Sequence, residues 1–370
     1  MRIILTGGIT GGHIYPALAI ADQFKEIDAN AEFLYLGSDE GMEKYIVPKH
    51  GYELKYIDSR WFDRSSPLKL AKTLLKNEKG KRETIRAMKR FKPDFVMSTG
   101  SFVSVPVALA AKSLGIPIYI HEQNAYPGMA NKLLSKYARR VFLGFEAARR
   151  YFPSAKVVYT GNPVRNEFGE QSRSDARREL EIPENDFVVL TFGGSLGAET
   201  INDIGLEIVS NYGNDEDTTI IFGTGKDYYE HVNRRLAAGN REVPANVRVM
   251  PYISDMAKML AASNVIICRS GALSTAEVTM AGRAAIFVPS PNVTGDHQYY
   301  NAKAVADNGG AVLITEDSDV VIRVLNALKA LKTDPSLLED MEKGSYRSAP
   351  VDAAKIICEE IIKDLRARRS

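Results

Sequence analysis

The sequence predicts an α/β protein built from two doubly wound parallel-sheet, Rossmann-like domains facing a cleft. Three observations carry this. Short apolar runs alternate with helical segments along the whole chain. The runs are apolar throughout, as in strands buried on both faces. Finally, a strand, glycine turn and helix at Met1–Thr6 and Gly7-Gly8-Ile9-Thr10-Gly11-Gly12-His13 recurs at Phe187–Phe192 and Gly193-Gly194-Ser195-Leu196-Gly197-Ala198. The second half restarts the architecture of the first.

Composition agrees and excludes several classes. With 370 residues the chain is long enough for two cores, and 45% hydrophobic with 25% charged residues is ordinary for a globular protein. A net charge of +2 gives no electrostatic footprint for nucleic acid. Cys268 and Cys358 stand far apart in apolar surroundings, forming neither a disulfide framework nor a zinc motif. The opening MRIILTGG lacks signal-peptide features. No apolar run approaches the roughly 18 residues that a membrane span needs.

In the first half, Met1–Thr6, Phe33–Gly37 and Glu53–Ile57 read as strands. The first glycine turn leads into a helix through Phe24, with Pro16 expected in its first turn. It matches neither a Walker loop nor a dinucleotide fingerprint, so ATP hydrolysis and nicotinamide chemistry lose support. Arg60–Lys92 holds twelve basic and three acidic residues, a local charge of +9. Trp61, Phe62, Leu68, Leu70, Leu74 and Leu75 sit among Lys69, Lys72, Lys76 and Lys79. Apolar residues fringed by lysine suit an anionic membrane surface, although leucines packed on the core would give the same pattern.

Asp94–Ser98 and Ile116–Ile120 are the next strands. The first feeds Thr99-Gly100-Ser101-Phe102 and a helix to Leu114; the second ends in His121-Glu122-Gln123-Asn124. Four polar residues at the carboxyl end of a buried strand call for a ligand or for one another, and ligands bind at that edge of open α/β sheets. Val157–Thr160 closes the half, and Gly161-Asn162-Pro163-Val164-Arg165 reads as a hinge.

In the second half Thr219–Phe222 and Val247–Met250 are strands, followed by Tyr252-Ile253-Ser254. Val265–Asn301 then carries strand, turn, helix, strand, loop and helix. Its first helix begins straight after a strand, so its free N–H groups and dipole suit a diphosphate. Glu277, one turn on, is placed to accept from two vicinal ribose hydroxyls; equally, Ser274 and Glu277 fit a capping box. Ala285–Val288 and Ala311–Ile314 follow as strands, then an amphipathic tail helix over 351–370. The five histidines show no paired spacing, the acidic pairs Asp215/Asp217 and Asp317/Asp319 lie in polar turns, and no nucleophile elbow is present. No metal site and no cofactor are expected, leaving helix N-termini, Arg165 and hydroxyls to stabilise a diphosphate.

GGITGGHIYPALA, HEQNAYPGMANK, TGNPVR, GGSLGA and CRSGALSTAEVTMAG with DHQYYNA together resemble the MurG family of bacterial glycosyltransferases, within the GT-B group. The motifs run from residue 6 to residue 302, in the family's order. The resemblance implies an inverting hexosyltransferase of peptidoglycan synthesis that moves N-acetylglucosamine from UDP-N-acetylglucosamine to the 4-hydroxyl of N-acetylmuramoyl in lipid I, giving lipid II. It implies a first domain over 1–161 for acceptor and membrane, a donor domain over 162–343, and residues 344–370 returning as a helix to the first. Glu277 would hold the ribose, and Ala272, Leu273, Ser274, Thr275 and Ala276 the diphosphate, with Ser195 beside them. Ile253 would meet uracil and Gln298 the sugar hydroxyls. Arg165, Asn124, Thr10, Gly11 and Gly12 would close over the donor. His13 is the candidate general base, since histidine exchanges protons near neutral pH, and Glu122 is the second. The resemblance also favours peripheral docking of Arg60–Lys92 on the cytoplasmic face of the membrane.

Three departures stand out. Gly100-Ser101-Phe102 replaces the usual Gly-Gly-Tyr, which weakens the expectation of close acceptor approach there. Leu196 and His297 stand where glutamines are common. Competing readings are a UDP-N-acetylglucosamine 2-epimerase, a transferase acting on another lipid, and a non-catalytic two-lobed sugar-binding protein.

Overall fold

The computed structural model describes residues 1–60, 66–165, 167–194, 196–238, 243–349 and 352–369. They form two compact units: residues 1–164 with 350–370, and residues 165–349.

The first unit holds a seven-stranded parallel sheet ordered β3-β2-β1-β4-β5-β6-β7. Its strands are β1 Arg2–Thr6, β2 Glu32–Gly37, β3 Leu54–Tyr56, β4 Phe95–Ser98, β5 Ile118–Glu122, β6 Arg140–Leu143 and β7 Val157–Tyr159. Order reverses at β1, which pairs with β2 on one side and β4 on the other, Thr6 lying opposite Ser98. That switch point is where an open sheet leaves room for a ligand. Alternate residues feed two cores. Ile3 and Leu5 join Phe24, Phe95 and Tyr119 on one face, while Ile4, Val96 and Ile120 pack on the other. The helices are α1 Gly11–Ile27, α2 Glu43–Lys49, α3 Pro67–Phe91, α4 Ser104–Ser113 and α5 Met129–Leu134.

The C-terminal helix, Ala353–Arg369, belongs to this unit. Its Ile357, Cys358 and Ile361 enter the core beside α1. Asp364 fastens its end, accepting from Tyr119 Oη at 2.7 Å and from both Arg139 Nε and Arg139 Nη2 at 2.9 and 2.8 Å.

The second unit repeats the design with six parallel strands ordered β10-β9-β8-β11-β12-β13. They are β8 Phe187–Phe192, β9 Thr218–Gly223, β10 Val247–Met250, β11 Val265–Cys268, β12 Ala284–Phe287 and β13 Ala311–Leu313. The reversal falls between β8 and β11. The helices that matter to the site are α6 Glu199–Tyr212, α7 Ala272–Met280 and α8 His297–Ala306.

Three local expectations need correction. Helix α1 begins at Gly11, so Pro16 lies in its interior, where it cannot donate to a carbonyl four residues back. His13 is consequently the third residue of a helix. At α7 the N-cap is Gly271, which has no side chain to cap with, so Ser274 and Glu277 form no capping box. Strand β6 had no counterpart among the expected strands; its four residues begin with the second arginine of the Arg139-Arg140 pair.

Candidate active site

The first glycine turn is built around a buried carboxylate. Glu43, from α2, accepts from Ile9 N and Ser38 N, both at 2.8 Å. A Cβ at Gly8, Gly37 or Gly41 would collide with its side chain. Glycine at these places therefore makes a slot that only Glu43 fills. The slot holds Ile9 at φ 73°, a left-handed backbone unfavourable for a β-branched residue. Met42 N donates to Ile9 O at 3.2 Å, closing the turn from its other side. Strain of this kind persists only where surrounding contacts over-determine it, and it concentrates at functional sites.

The turn delivers His13. Its Nδ1 lies 2.9 Å from Thr99 O and 3.1 Å from Gln123 Oε1. Both neighbours are acceptors, so Nδ1 carries the proton and the neutral ring keeps its lone pair on Nε2. Thr99 Oγ1 donates back to His13 O at 2.6 Å. Gly100, at φ 105°, lets the imidazole approach; a Cβ there would come within 3.2 Å of its Cε1 and Nδ1.

Glu122 is withdrawn from the role of second base. It is buried, and its oxygens accept from Asn124 N at 2.9 Å, Gly128 N at 3.1 Å and Asn131 Nδ2 at 2.9 Å. Burial pushes its carboxyl up, opposed by these donors and by nearby His13. The group ties the loop after β5 to α5. Asn124, a predicted contact, is part of this tie through its backbone N–H. Thr10, Gly11 and Gly12 form the start of α1, where Thr10 O accepts from His13 N and Ile14 N.

In the second unit Val265–Cys268 leads directly into α7, as the strand-turn-helix pattern requires. Ala272, Thr275 and Ala276 are buried; Leu273, Ser274 and Glu277 are half-buried. Desolvation pushes the Glu277 carboxyl up to about 7, Arg165 pulls it down and Glu167 pushes it up. Arg165 is itself paired with Glu167 at 3.0 Å and stacked over Phe168. Gln298 opens α8, and its Oε1 accepts from Ser290 N at 2.9 Å. Its Nε2 is thereby the end turned to donate. Ser270 Oγ donates to Gln298 O at 2.8 Å and Asn301 Nδ2 to Ser270 O at 3.2 Å, knitting the β11 turn to α8. Ile253 is buried against Gly223 at the end of β9. Ser195 lies outside the described residues.

Sequence reasoning missed Glu43 and Arg269. Glu43 follows Ser-Asp-Glu-Gly-Met and resembles a solvated turn. Arg269 donates to Val288 O and Pro289 O, both at 3.1 Å, and pairs with Glu316. Glu316 also accepts from Thr200 Oγ1 on α6 at 2.7 Å, so Arg269 ties the turn after β11 to the end of β12 and to α6. Among the described residues no group of three His, Cys, Asp or Glu is placed to hold a metal ion. Asp215 and Asp217 are both paired with Lys332.

On α3, Leu74 and Leu75 are 51% and 73% exposed, so these two leucines are not packed on the core. Lys79, a turn further, is exposed and bridges to Asp58 at 3.2 Å. Residues 61–65, Trp61 and Phe62 among them, lie outside the described residues, as do the side chains of 67–72, including Leu68, Lys69, Leu70 and Lys72.

Two family models between them match most of the chain. The glycosyltransferase family 28 N-terminal domain matches residues 3–143 and the family 28 C-terminal domain residues 188–357. A UDP-N-acetylglucosamine–N-acetylmuramyl-(pentapeptide) pyrophosphoryl-undecaprenol N-acetylglucosamine transferase from Caldicellulosiruptor saccharolyticus is 39% identical, covering 96% of each chain. One of the same name from Acetivibrio thermocellus is 37% identical over the full length of both. The crystal structure of Acinetobacter baumannii MurG superposes with a TM-score of 0.77 at 31% identity, covering 98% of this chain and 99% of that one. A UDP-GlcNAc 2-epimerase from Neisseria meningitidis shares the fold, at a TM-score of 0.70, 16% identity and 98% and 100% coverage.

Proposed function

The chain belongs to glycosyltransferase family 28, among the MurG-type N-acetylglucosaminyltransferases, and we propose that it transfers N-acetylglucosamine from UDP-N-acetylglucosamine to lipid I with inversion at the anomeric carbon. The observation that carries the mechanism is His13, whose Nδ1 faces two acceptors and whose Nε2 is left with the lone pair. In this reading the N-acetylmuramoyl 4-hydroxyl gives its proton to His13 Nε2 as its oxygen bonds to the anomeric carbon. The bond from that carbon to the diphosphate oxygen breaks, and UDP leaves with the electron pair.

The second unit is the donor unit. The N-terminus of α7, over Ala272–Ala276, receives the diphosphate, with Ser195 beside it. Glu277 accepts from the ribose hydroxyls, Gln298 Nε2 donates to a sugar hydroxyl, Ile253 meets the uracil, and Arg165 adds positive charge. The first unit, with Thr10, Gly11, Gly12 and Asn124, takes the acceptor side and contacts to the donor.

No described helix is long and apolar enough to cross a membrane. In this reading the chain meets its lipid acceptor peripherally, at the cytoplasmic face, through Leu74, Leu75 and the basic residues of α3.

Radiolabelled UDP-N-acetylglucosamine, incubated with and without a short-chain lipid I analogue, tests the assignment. Label should pass to the analogue with a β-linkage and stay on unchanged donor in its absence. Epimerised donor without acceptor overturns it.

A further inference from the structure

We propose that Gln123 is a positioning residue that acts through His13: locked by His121, it presents its carbonyl oxygen to His13 Nδ1–H, holds the base lone pair on Nε2 and steadies the imidazolium formed when the proton is taken up. The inference rests on His13 being the base. The four polar residues His121 to Asn124, at the carboxyl end of β5, are otherwise accounted for only in part. Glu122 and Asn124 tie the loop, but nothing so far explains why a glutamine and a second histidine are buried there.

The chain of contacts gives the reason. His121 is fully buried, and its Nε2 lies 3.1 Å from Gly161 O. A carbonyl only accepts, so Nε2 carries the His121 proton and Nδ1 is an acceptor. Gln123 Nε2 lies 3.0 Å from that Nδ1 and 3.1 Å from His121 O. Both are acceptors, which fixes the amide NH2 towards His121 and the amide oxygen towards His13, 3.1 Å from its Nδ1. Asn162 Nδ2 donates to Gln123 O at 3.0 Å and pins the backbone beneath. From Gly161 O to His13 every donor and acceptor has one consistent direction. Burial holds the His121 imidazole down at about 4, so it stays neutral and keeps accepting throughout the working pH range. Were it protonated, its Nδ1–H would claim the amide oxygen and turn the NH2 towards His13 Nδ1–H, donor against donor.

The groups facing the imidazole are few. Among the described residues Thr99 O and Gln123 Oε1 meet Nδ1, Gly100 lies along the ring, and Glu122 of β5 is an ionisable group that interacts with it electrostatically. Glu122 is common to all the variants below, so differences between them report on position 123.

The test uses the full chain, with the five histidines followed by NMR through their ring carbons and nitrogens, His13 being assigned from the His13→Ala spectrum. Gln123→Glu places a carboxylate where the amide oxygen was. It should raise the His13 midpoint by about one unit or more, and the acid limb of kcat should move by the same amount. Its plateau at high pH should fall as well, because a carboxylate oxygen replaces the NH2 that donates to His121 Nδ1 and His121 O. Gln123→Met keeps the size and removes the acceptor; kcat should fall about tenfold with KM for the donor within twofold. Its His13 nitrogen shifts should move towards a mixture of tautomers. An unmoved His13 midpoint in Gln123→Glu, or a purely proportional loss at every pH in both variants, overturns the proposal. Failure of the base reading looks different: His13→Ala would keep its turnover while the NMR midpoint in Gln123→Glu still moved.

Discussion

The carboxyl of Glu277 makes a pH-dependent prediction for donor binding. In the free protein it is pushed up to about 7, chiefly by desolvation. In the proposed donor site two vicinal hydroxyls donate best to the ionised form, so UDP-N-acetylglucosamine and a proton would compete for the group. At pH 6 about one molecule in ten is ionised and at pH 8 about nine in ten, so the donor Kd should tighten about tenfold across that interval. The donor diphosphate is esterified at both ends and keeps its charge over the same range, so the slope belongs to the protein. Glu277→Gln should flatten the dependence and weaken binding at pH 8 by about 1.5–3 kcal/mol, the worth of hydrogen bonds to a charged acceptor. The stability of the free protein moves the opposite way. A carboxyl raised on folding is stabilising below its unfolded value and loses that contribution as pH rises through 4.5 towards 7. The parent should therefore lose stability relative to Glu277→Gln over that window, by up to about 3 kcal/mol. Calorimetric titration in two buffers of different ionisation enthalpy reads both affinity and proton release. A donor Kd that is flat from pH 6 to 8 in the parent, or a slope that survives in Glu277→Gln, would refute the reasoning.

Three further outcomes follow from the packing. Glu43→Ala strips two charge-assisted hydrogen bonds from a sealed slot and frees strained Ile9; chemical unfolding should show a loss of about 3 kcal/mol, with turnover falling further than folded fraction. Asp364→Ala leaves Arg139 and Tyr119 without their shared acceptor and should cost about 2–3 kcal/mol. Because the Arg139 guanidinium holds the Asp364 carboxyl below its usual 3.8, that contribution is present above 3.8 and fades as pH falls, so parent and variant should converge in acid melts. Leu74→Ser with Leu75→Ser should cut co-flotation with anionic vesicles severalfold while leaving transfer to a soluble acceptor analogue unchanged; equal flotation would remove α3 from the membrane role.

The legible parts of this protein were those where chemistry repeats locally. Phe187–Phe192, Val247–Met250 and Val265–Cys268 are strands at the residues their apolar runs mark. Glycine turns at Gly7–Gly12 and the start of α7 lie at carboxyl ends of strands, the edge at which open α/β sheets bind ligands. What stayed hidden depends on contacts distant in sequence. Glu43 fills a slot made by glycines at 8, 37 and 41, and nothing near it in sequence announces burial. Glu122 looked like a base because a carboxylate at a sheet edge usually meets solvent; its donors come from residues 124, 128 and 131. The start of α1 was misjudged because Pro16 is a good first-turn residue, while the helix gains two carbonyl contacts at Thr10 by starting earlier. The proton on His13 Nδ1 is decided by Thr99 and Gln123, 86 and 110 residues away.

In the proposed division of labour the second unit fixes the donor, and His13 in the first takes the proton. Paired measurements on His13→Ala test this most directly. Its Kd for UDP-N-acetylglucosamine should stay within twofold of the parent, while label transfer to the lipid I analogue falls by about 10²–10⁴. Turnover within a few-fold of the parent, with donor affinity intact, would contradict it.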